Sequence, residues 1–185
     1  MRILLMMNAL ALTAACTFVG GGPQNASARG CHAVATQNWA AGDQALSIDA
    51  TSAGPDCEHG VATIVIRDTE GEVLWVTAYP TAQVMTLQDA RDAEAMEAAM
   101  REWIAPENNT METTAALPPW PENAEAPTAG EFPFYVEEGL DRDAYESIRA
   151  ANHPLYCYVQ GMESLACLAS VDGGLGMVGV QLFPG

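Results

Sequence analysis

Four of its five cysteines limit the folds open to this chain more than any other feature of its 185 residues. Cys31 and Cys57 lie in the first third of the chain, whereas Cys157 and Cys167 lie near its end. An even number of cysteines outside the cytoplasm is what two disulfide bonds require, and three connectivities are open to four cysteines. We predict the local connectivity, Cys31–Cys57 with Cys157–Cys167, in which the second bridge staples a hairpin centred near Met162.

Short runs rich in β-branched and aromatic residues predict antiparallel strands. These runs occupy residues 45–48, 61–66, 73–79, 155–160, 164–171 and 177–183. The short loop with Gly71 at its end predicts a hairpin between the second and third runs, and the last three runs predict a meander. The chain is therefore predicted to build an antiparallel sheet of about five or six strands.

Two helices are predicted to cover this sheet, which makes the fold class α+β. Apolar residues recur at helical spacing over residues 87–104. Thr86 and Asp89 resemble a capping box at the start of that helix, with Asp in place of the usual Glu. A second helix is predicted over residues 141–152, because Pro154 cannot continue it.

A proline-rich segment separates the two halves of the chain. Six of the 11 prolines lie between residues 105 and 133, where no periodicity is sustained. This composition predicts a long loop over residues 105–133. The loop is predicted to lie within a single domain, which spans residues 31–185. Trp120 lies in the middle of the loop, and a tryptophan there needs a surface to pack on. It either pins the loop to its own domain or offers a binding anchor to a partner.

The N-terminus has the order of a bacterial export signal. One arginine precedes an uncharged apolar run, and two small residues stand directly before Cys16. The stretch Leu12-Thr13-Ala14-Ala15-Cys16 resembles the lipobox of bacterial lipoproteins. This resemblance implies that residues 1–15 are a signal peptide and that Cys16 is acylated. Residues 16–30 then form a flexible tether.

The same resemblance implies a location at the outer membrane, because Thr17 rather than Asp follows the cysteine. A rival cut lies after Ala28, since Ala26-Ser27-Ala28 suits ordinary signal peptidase. That cut would release a soluble periplasmic protein. Both cuts leave the domain outside the cytoplasm.

The net charge of the chain limits the classes of partner that it can bind. The formal net charge is −17, and all seven cationic residues are arginines. A surface this acidic repels phosphate backbones and anionic lipid, so the composition argues against nucleic acid as a partner. The expected partners are the membrane, reached through a lipid anchor on Cys16, and proteins of the envelope.

Two histidines lie beside the predicted first disulfide. His32 follows Cys31 directly and His59 lies two residues after Cys57, so the bridge would draw both imidazoles together near Asp56. Two imidazoles and a carboxylate could bind zinc or copper, and reduced thiols would extend the set to two cysteines and two histidines. The alternative is an oxidised bridge flanked by two surface histidines and no cofactor, because thiols outside the cytoplasm are normally oxidised.

Catalytic motifs are weak in this chain. The string from Gly174 to Gly179 matches the dinucleotide fingerprint GxGxxG, but it stands in a strand pattern and lacks the helix that the motif needs. We therefore interpret it as loop glycines. A hydrolase would need an unrecognised site, for example one that joins His153 to a serine and a carboxylate.

The sequence favours a non-enzymatic envelope lipoprotein with a structural or adaptor role. A secreted periplasmic module that binds a ligand or a metal is the second hypothesis. A hydrolase is the third.

Overall fold

The computed structural model describes residues 30–107, 109–129, 132–171 and 174–183. The predicted signal peptide, Cys16, the rival cut after Ala28 and all of the predicted tether except Gly30 lie outside the described residues. The described strands are β1 (Ala33–Ala41), β2 (Gln44–Ala53), β3 (Val61–Arg67), β4 (Val73–Pro80), β5 (Thr110–Thr113), β6 (Thr128–Ala129), β7 (Phe132–Val136), β8 (Pro154–Val159), β9 (Ser164–Val171) and β10 (Gly174–Leu182). The described helices are α1 (Ala93–Ile104) and α2 (Arg142–Ala151), with 3₁₀ turns at Thr81–Gln83 and Thr114–Ala116.

The fold is α+β, as predicted, but its strands form two antiparallel sheets rather than one. The first sheet has the order β1-β2-β3-β4, and the second has the order β5-β8-β9-β10-β7-β6. β1–β4 and β8–β10 are two meanders, in which each strand pairs with its neighbour in sequence, whereas β5 pairs with β8 and β7 pairs with β10. The segment between β4 and β8 separates the two meanders, and β4 contacts β10 without pairing with it.

The second sheet is covered on both faces, which explains the unbroken apolar runs of β8 and β9. Tyr156 and Tyr158 of β8 join a core that lies between the two sheets and beneath α1, which we call the inner core. Leu155 and Cys157 point the other way, into a core beneath α2 that we call the outer core. Trp103 of α1 ties the layers together, because its Nε1 donates to the carbonyl oxygen of Val159 at 2.6 Å.

The first helix begins later than predicted. Asp92 is its N-cap, and the Asp92 carboxylate accepts a hydrogen bond from the backbone N–H of Ala95 at 2.8 Å. The capping box at Thr86 was therefore wrong. Leu87 is buried as expected, but it lies in a turn where its N–H donates to the carbonyl of Val84. Glu97 and Arg101 pair on the exposed side of the helix, as their spacing predicts.

The second helix is confirmed to within one residue at each end. Asp141 is its N-cap and accepts from the N–H of Ala144 at 2.8 Å. Asn152 ends the helix in the left-handed conformation, with φ of 56°, which Asn tolerates better than most residues. Pro154 then begins β8.

The proline-rich segment is more ordered than the predicted loop. It contains β5, one 3₁₀ turn and β6, and its end enters β7. β5 pairs with β8 and β7 pairs with β10, so both ends of the segment are hydrogen-bonded into the second sheet.

Among the described residues, the helices are too short and too polar to cross a membrane.

Candidate functional site

Both predicted disulfides form. The Cys31–Cys57 bridge, here called the loop disulfide, joins residues 26 apart and is buried at the start of β1. The Cys157–Cys167 bridge, here called the hairpin disulfide, joins residues that lie directly opposite each other on β8 and β9. Two oxidised cysteine pairs are compatible with an extracytoplasmic location.

The predicted metal site is not assembled from the cysteines, because both members of the loop disulfide are oxidised. His59 instead forms an exposed pair with Asp56, whose carboxylate lies 2.8 Å from the imidazole Nδ1. Hydrogen bonding to Asp56 raises the pKa of His59, and the backbone and side-chain hydrogen bonds from His59 lower the pKa of Asp56. His32 is exposed and lies against Gly30. Among the described residues, no group of three or more His, Cys, Asp or Glu side chains could hold a metal ion.

The glycine string belongs to a strand. Gly174, Gly176 and Gly179 all lie in β10. A Cβ on Gly179 would lie 2.5 Å from Cε1 of Phe134, so this glycine allows β10 to approach β7 closely. The interpretation as loop glycines was therefore wrong: the string lies within β10, and its last glycine is required by the close approach of β7.

Trp120 packs on its own domain. Its ring meets Tyr145 of α2 edge-to-face, with the ring centroids 5.9 Å apart. Its backbone N–H donates to Glu146 at 2.7 Å, and its carbonyl accepts from Arg142 at 3.1 Å. The tryptophan thus fixes the proline-rich segment to α2.

An apolar cleft of about 200 Å³ opens beside the outer core, on the α2 side of the second sheet. The hairpin disulfide forms part of its lining. Leu155 of β8 and Leu165 of β9, each two residues before a cysteine of that bridge, also line the cleft. Phe132 and Phe183 form one side of the cleft, with ring centroids 5.2 Å apart. The described lining residues carry no titratable side chain, since both cysteines are oxidised.

The opposite wall of the cleft comes from the proline-rich segment, and α2 holds that wall in place. Leu117 and Pro118 line the cleft. The Tyr145 hydroxyl donates to the carbonyl of Pro118 at 2.7 Å, and Arg149 Nε donates to the carbonyl of Leu117 at 2.9 Å. Burial raises the pKa of Tyr145, so this hydroxyl stays protonated as a donor. The cleft is therefore bounded by hydrogen-bonded backbone rather than by a free loop.

A second apolar depression, of about 280 Å³, adjoins the first and shares Leu165 and Phe183 with it. Met85 and Met162 line this depression and are 51% and 44% exposed. Phe183, between the two depressions, is 38% exposed. Exposed large apolar side chains that adjoin a cleft are typical of a binding surface rather than of scattered surface residues.

Comparison with protein-family models, with curated proteins and with solved structures gave no match for this chain. Its function must therefore be inferred from the cleft and from the residues around it. Sequence reasoning missed the cleft because its lining residues are distributed between residues 110 and 183. The one signal that pointed to it was the pair of prolines at 118 and 119, within a segment that also required a surface for its tryptophan.

Proposed function

We propose that this protein is an extracytoplasmic, non-enzymatic binding protein whose cleft on the second sheet takes a small apolar ligand. We further propose that Cys16 is acylated, so that the cleft is held near the membrane surface. The observation that carries the proposal is the cleft between the Phe132–Phe183 ring pair and the wall at Leu117, above the hairpin disulfide.

The size and chemistry of the cleft support an apolar ligand. An engineered apolar cavity of about 150 Å³ binds benzene, so 200 Å³ is enough for a molecule of at least that size. Ligand sites in proteins are mostly apolar and contain a few polar groups that orient the ligand. Here Gln181 supplies an amide, whose Nε2 donates to the carbonyl of Pro133 at 3.1 Å.

The charge of the chain restricts the ligand further. With a formal net charge of −17, the protein repels anions at a distance. An uncharged or cationic apolar molecule therefore suits the cleft better than a fatty acid or another anion.

The cleft also favours ligand binding over the other functions that the sequence allowed. An adaptor surface does not need a concave apolar site, whereas this cleft has a wall held by two hydrogen bonds from α2. For metal binding at His59, the described part of the chain places one carboxylate, that of Asp56, within hydrogen-bond distance of the imidazole. Acid–base chemistry would need a titratable group, and the described lining has none.

Binding of an uncharged fluorescent probe, N-phenyl-1-naphthylamine, tests the proposal. Ala116 lines the cleft, whereas Ala115 lies in the same 3₁₀ turn, is exposed and is not part of the lining. We expect saturable binding by the wild type, and binding weakened by about tenfold or more in Ala116→Trp. The added indole would occupy part of the cleft, and the probe's loss of about two methylene groups' worth of buried contact corresponds to about tenfold in affinity. Ala115→Trp is the matched control and should bind like the wild type. Equal binding by Ala116→Trp and the wild type, or no saturable binding by the wild type, would refute a ligand site here.

A further inference from the structure

The two sheets of the described fold have four edges, and three of them carry features that hinder pairing with another strand. β6 has only two residues, and β5 has four residues with Glu112 among them. β4 carries an irregularity in its pairing with β3 near Arg67, ends in Pro80 and contacts β10. Natural proteins use short strands, charges, prolines and bulges in this way to keep sheet edges unpaired.

The fourth edge, β1, has none of these features. The helix that packs most closely on β1 is α1, and its buried side chains enter the inner core. The nine residues of β1 include no charge and no proline, and they pair with β2 in an unbroken register from Ala33–Ser52 to Ala41–Gln44. Val34, on the face directed away from the inner core, is 61% exposed. A long, regular, uncharged edge strand is a template for another strand.

The backbone groups available on this edge follow from the register. Cys31, two residues before β1, donates its N–H to the carbonyl of Gly54, so these two residues form a hydrogen-bonded pair in line with the ladder. Hydrogen-bonded pairs recur at every second residue of an antiparallel ladder, so the odd-numbered residues of β1 face β2. The even-numbered residues then direct their N–H and C=O groups outward: Val34, Thr36, Asn38 and Ala40. The Asn38 carbonyl also accepts from Nε2 of Gln37 at 2.8 Å, so that side chain shares the carbonyl with the second copy or moves away from it.

We propose that β1 pairs antiparallel with β1 of a second copy of this chain, about a two-fold axis at Gln37. In this register Val34 lies opposite Ala40 of the other copy, and Thr36 lies opposite Asn38. All four outward-facing residues thus pair with one another. Each such pair exchanges two hydrogen bonds, so the register makes about eight in total. A two-fold interface needs a surface that complements itself, and β1 meets this condition along its whole length.

The distribution of charge favours a second copy at this edge. Two copies with a formal net charge of −17 each repel one another over most of their surface. β1 has no charge, and the carboxylate of Asp49, which lies opposite Thr36 on β2, is engaged by Arg67 at 3.7 Å and by Thr36 at 2.9 Å. The edge is therefore a place where two acidic copies can approach without facing like charges.

A substitution at Asn38 tests this pairing. Asn38→Pro removes one outward N–H from each copy and places a proline on an edge, whereas Asn38→Ala keeps the N–H. In sedimentation experiments on the full protein, with any detergent density-matched, we expect the wild type and Asn38→Ala to be dimers and Asn38→Pro to be a monomer. The thermal unfolding of each variant shows whether it is folded. A monomeric wild type, or a dimeric Asn38→Pro, would overturn the proposal.

A crosslink tests the register independently of the proline. At the two-fold axis the two copies of residue 37 form a non-hydrogen-bonded pair, with a Cα separation of about 4.5 Å that suits a disulfide. We expect Gln37→Cys to form a covalent dimer on oxidation. Ser47→Cys, on the interior strand β2, is the matched control and should stay monomeric on a non-reducing gel. Equal crosslinking by both variants, or none by Gln37→Cys, would contradict the register.

Discussion

Substitution of Gly179 by alanine should destabilise the protein strongly, because β10 lies unusually close to β7 at this residue. A Cβ there would lie closer than 3.0 Å to the carbonyl oxygen of Tyr135 and 2.5 Å from Cε1 of Phe134. Phe134 is buried in the outer core, so its ring has little room to move. Gly176, three residues earlier in the same strand, has no heavy atom within 4 Å of its Cβ position.

The expected loss in the free energy of unfolding follows from the groups that the new Cβ would meet. Overpacking a well-packed core typically costs about 1–3 kcal/mol. Because Gly179→Ala meets a backbone oxygen in a sheet as well as a buried ring, we expect a loss of about 3 kcal/mol. For a chain of this size that corresponds to a fall in Tm of about 6–12 °C. Gly176→Ala should change the free energy of unfolding by less than about 0.5 kcal/mol.

Urea unfolding of both variants, followed by far-UV circular dichroism, measures the two changes. The comparison also separates strand packing from nucleotide binding as the reason for the GxGxxG string. A dinucleotide site would need the first glycines of the string at least as much as the last. Equal destabilisation by the two substitutions, or a neutral Gly179→Ala, would refute the close approach of β10 to β7.

Three further predictions concern the disulfides, the histidine pair and the cleft wall. Replacing both cysteines by serine should destabilise the protein by about 3.5 kcal/mol for the loop disulfide and about 2.5–3 kcal/mol for the hairpin disulfide, since their loops span 26 and 10 residues. Urea unfolding checks this order. Asp56→Asn should lower the pKa of His59, as measured by NMR titration, because the hydrogen bond to Asp56 raises that pKa. The signs imply that this pair favours the folded state while His59 is protonated and Asp56 is ionised. That contribution is lost as the pH rises through the folded pKa of His59, and it is lost as the pH falls through the lowered pKa of Asp56. Tyr145→Phe should reduce stability by about 1–3 kcal/mol, since the buried carbonyl of Pro118 loses its donor, and it should weaken probe binding in the cleft.

Local features of this fold could be predicted from the sequence where one residue type decides the structure. Asp141 and Asn152 mark the ends of α2, and the spacing of Cys157 and Cys167 identifies the hairpin between β8 and β9. The start of α1 could not be predicted as well. The apolar spacing extends back to Leu87, but the cap at Asp92 and a run of turns before it decide where the helix begins.

Long-range features could be predicted less well. Strand patterns identify which residues are extended but not which strands share a sheet. The sequence therefore predicted one sheet where the fold has two. The alternation of Leu155 and Cys157 with Tyr156 and Tyr158 becomes informative only when both faces of the second sheet are known to be covered. The cleft depends on hydrogen bonds from α2 to backbone carbonyls in the proline-rich segment. Every residue has a backbone carbonyl, so the sequence does not show which of them accept these bonds.

We propose that this protein is lipid-anchored outside the cytoplasm and holds a small apolar ligand. The intact mass of the protein tests both properties when it is purified from its own envelope without reductant and measured under native conditions and again after organic extraction. We expect a chain that begins at Cys16 with added acyl mass and is four hydrogens lighter than the reduced form. We also expect an additional non-covalent mass that extraction removes. A bare chain that begins at Arg29, four free thiols, or no mass lost on extraction would contradict the anchor, the disulfides or the ligand, respectively.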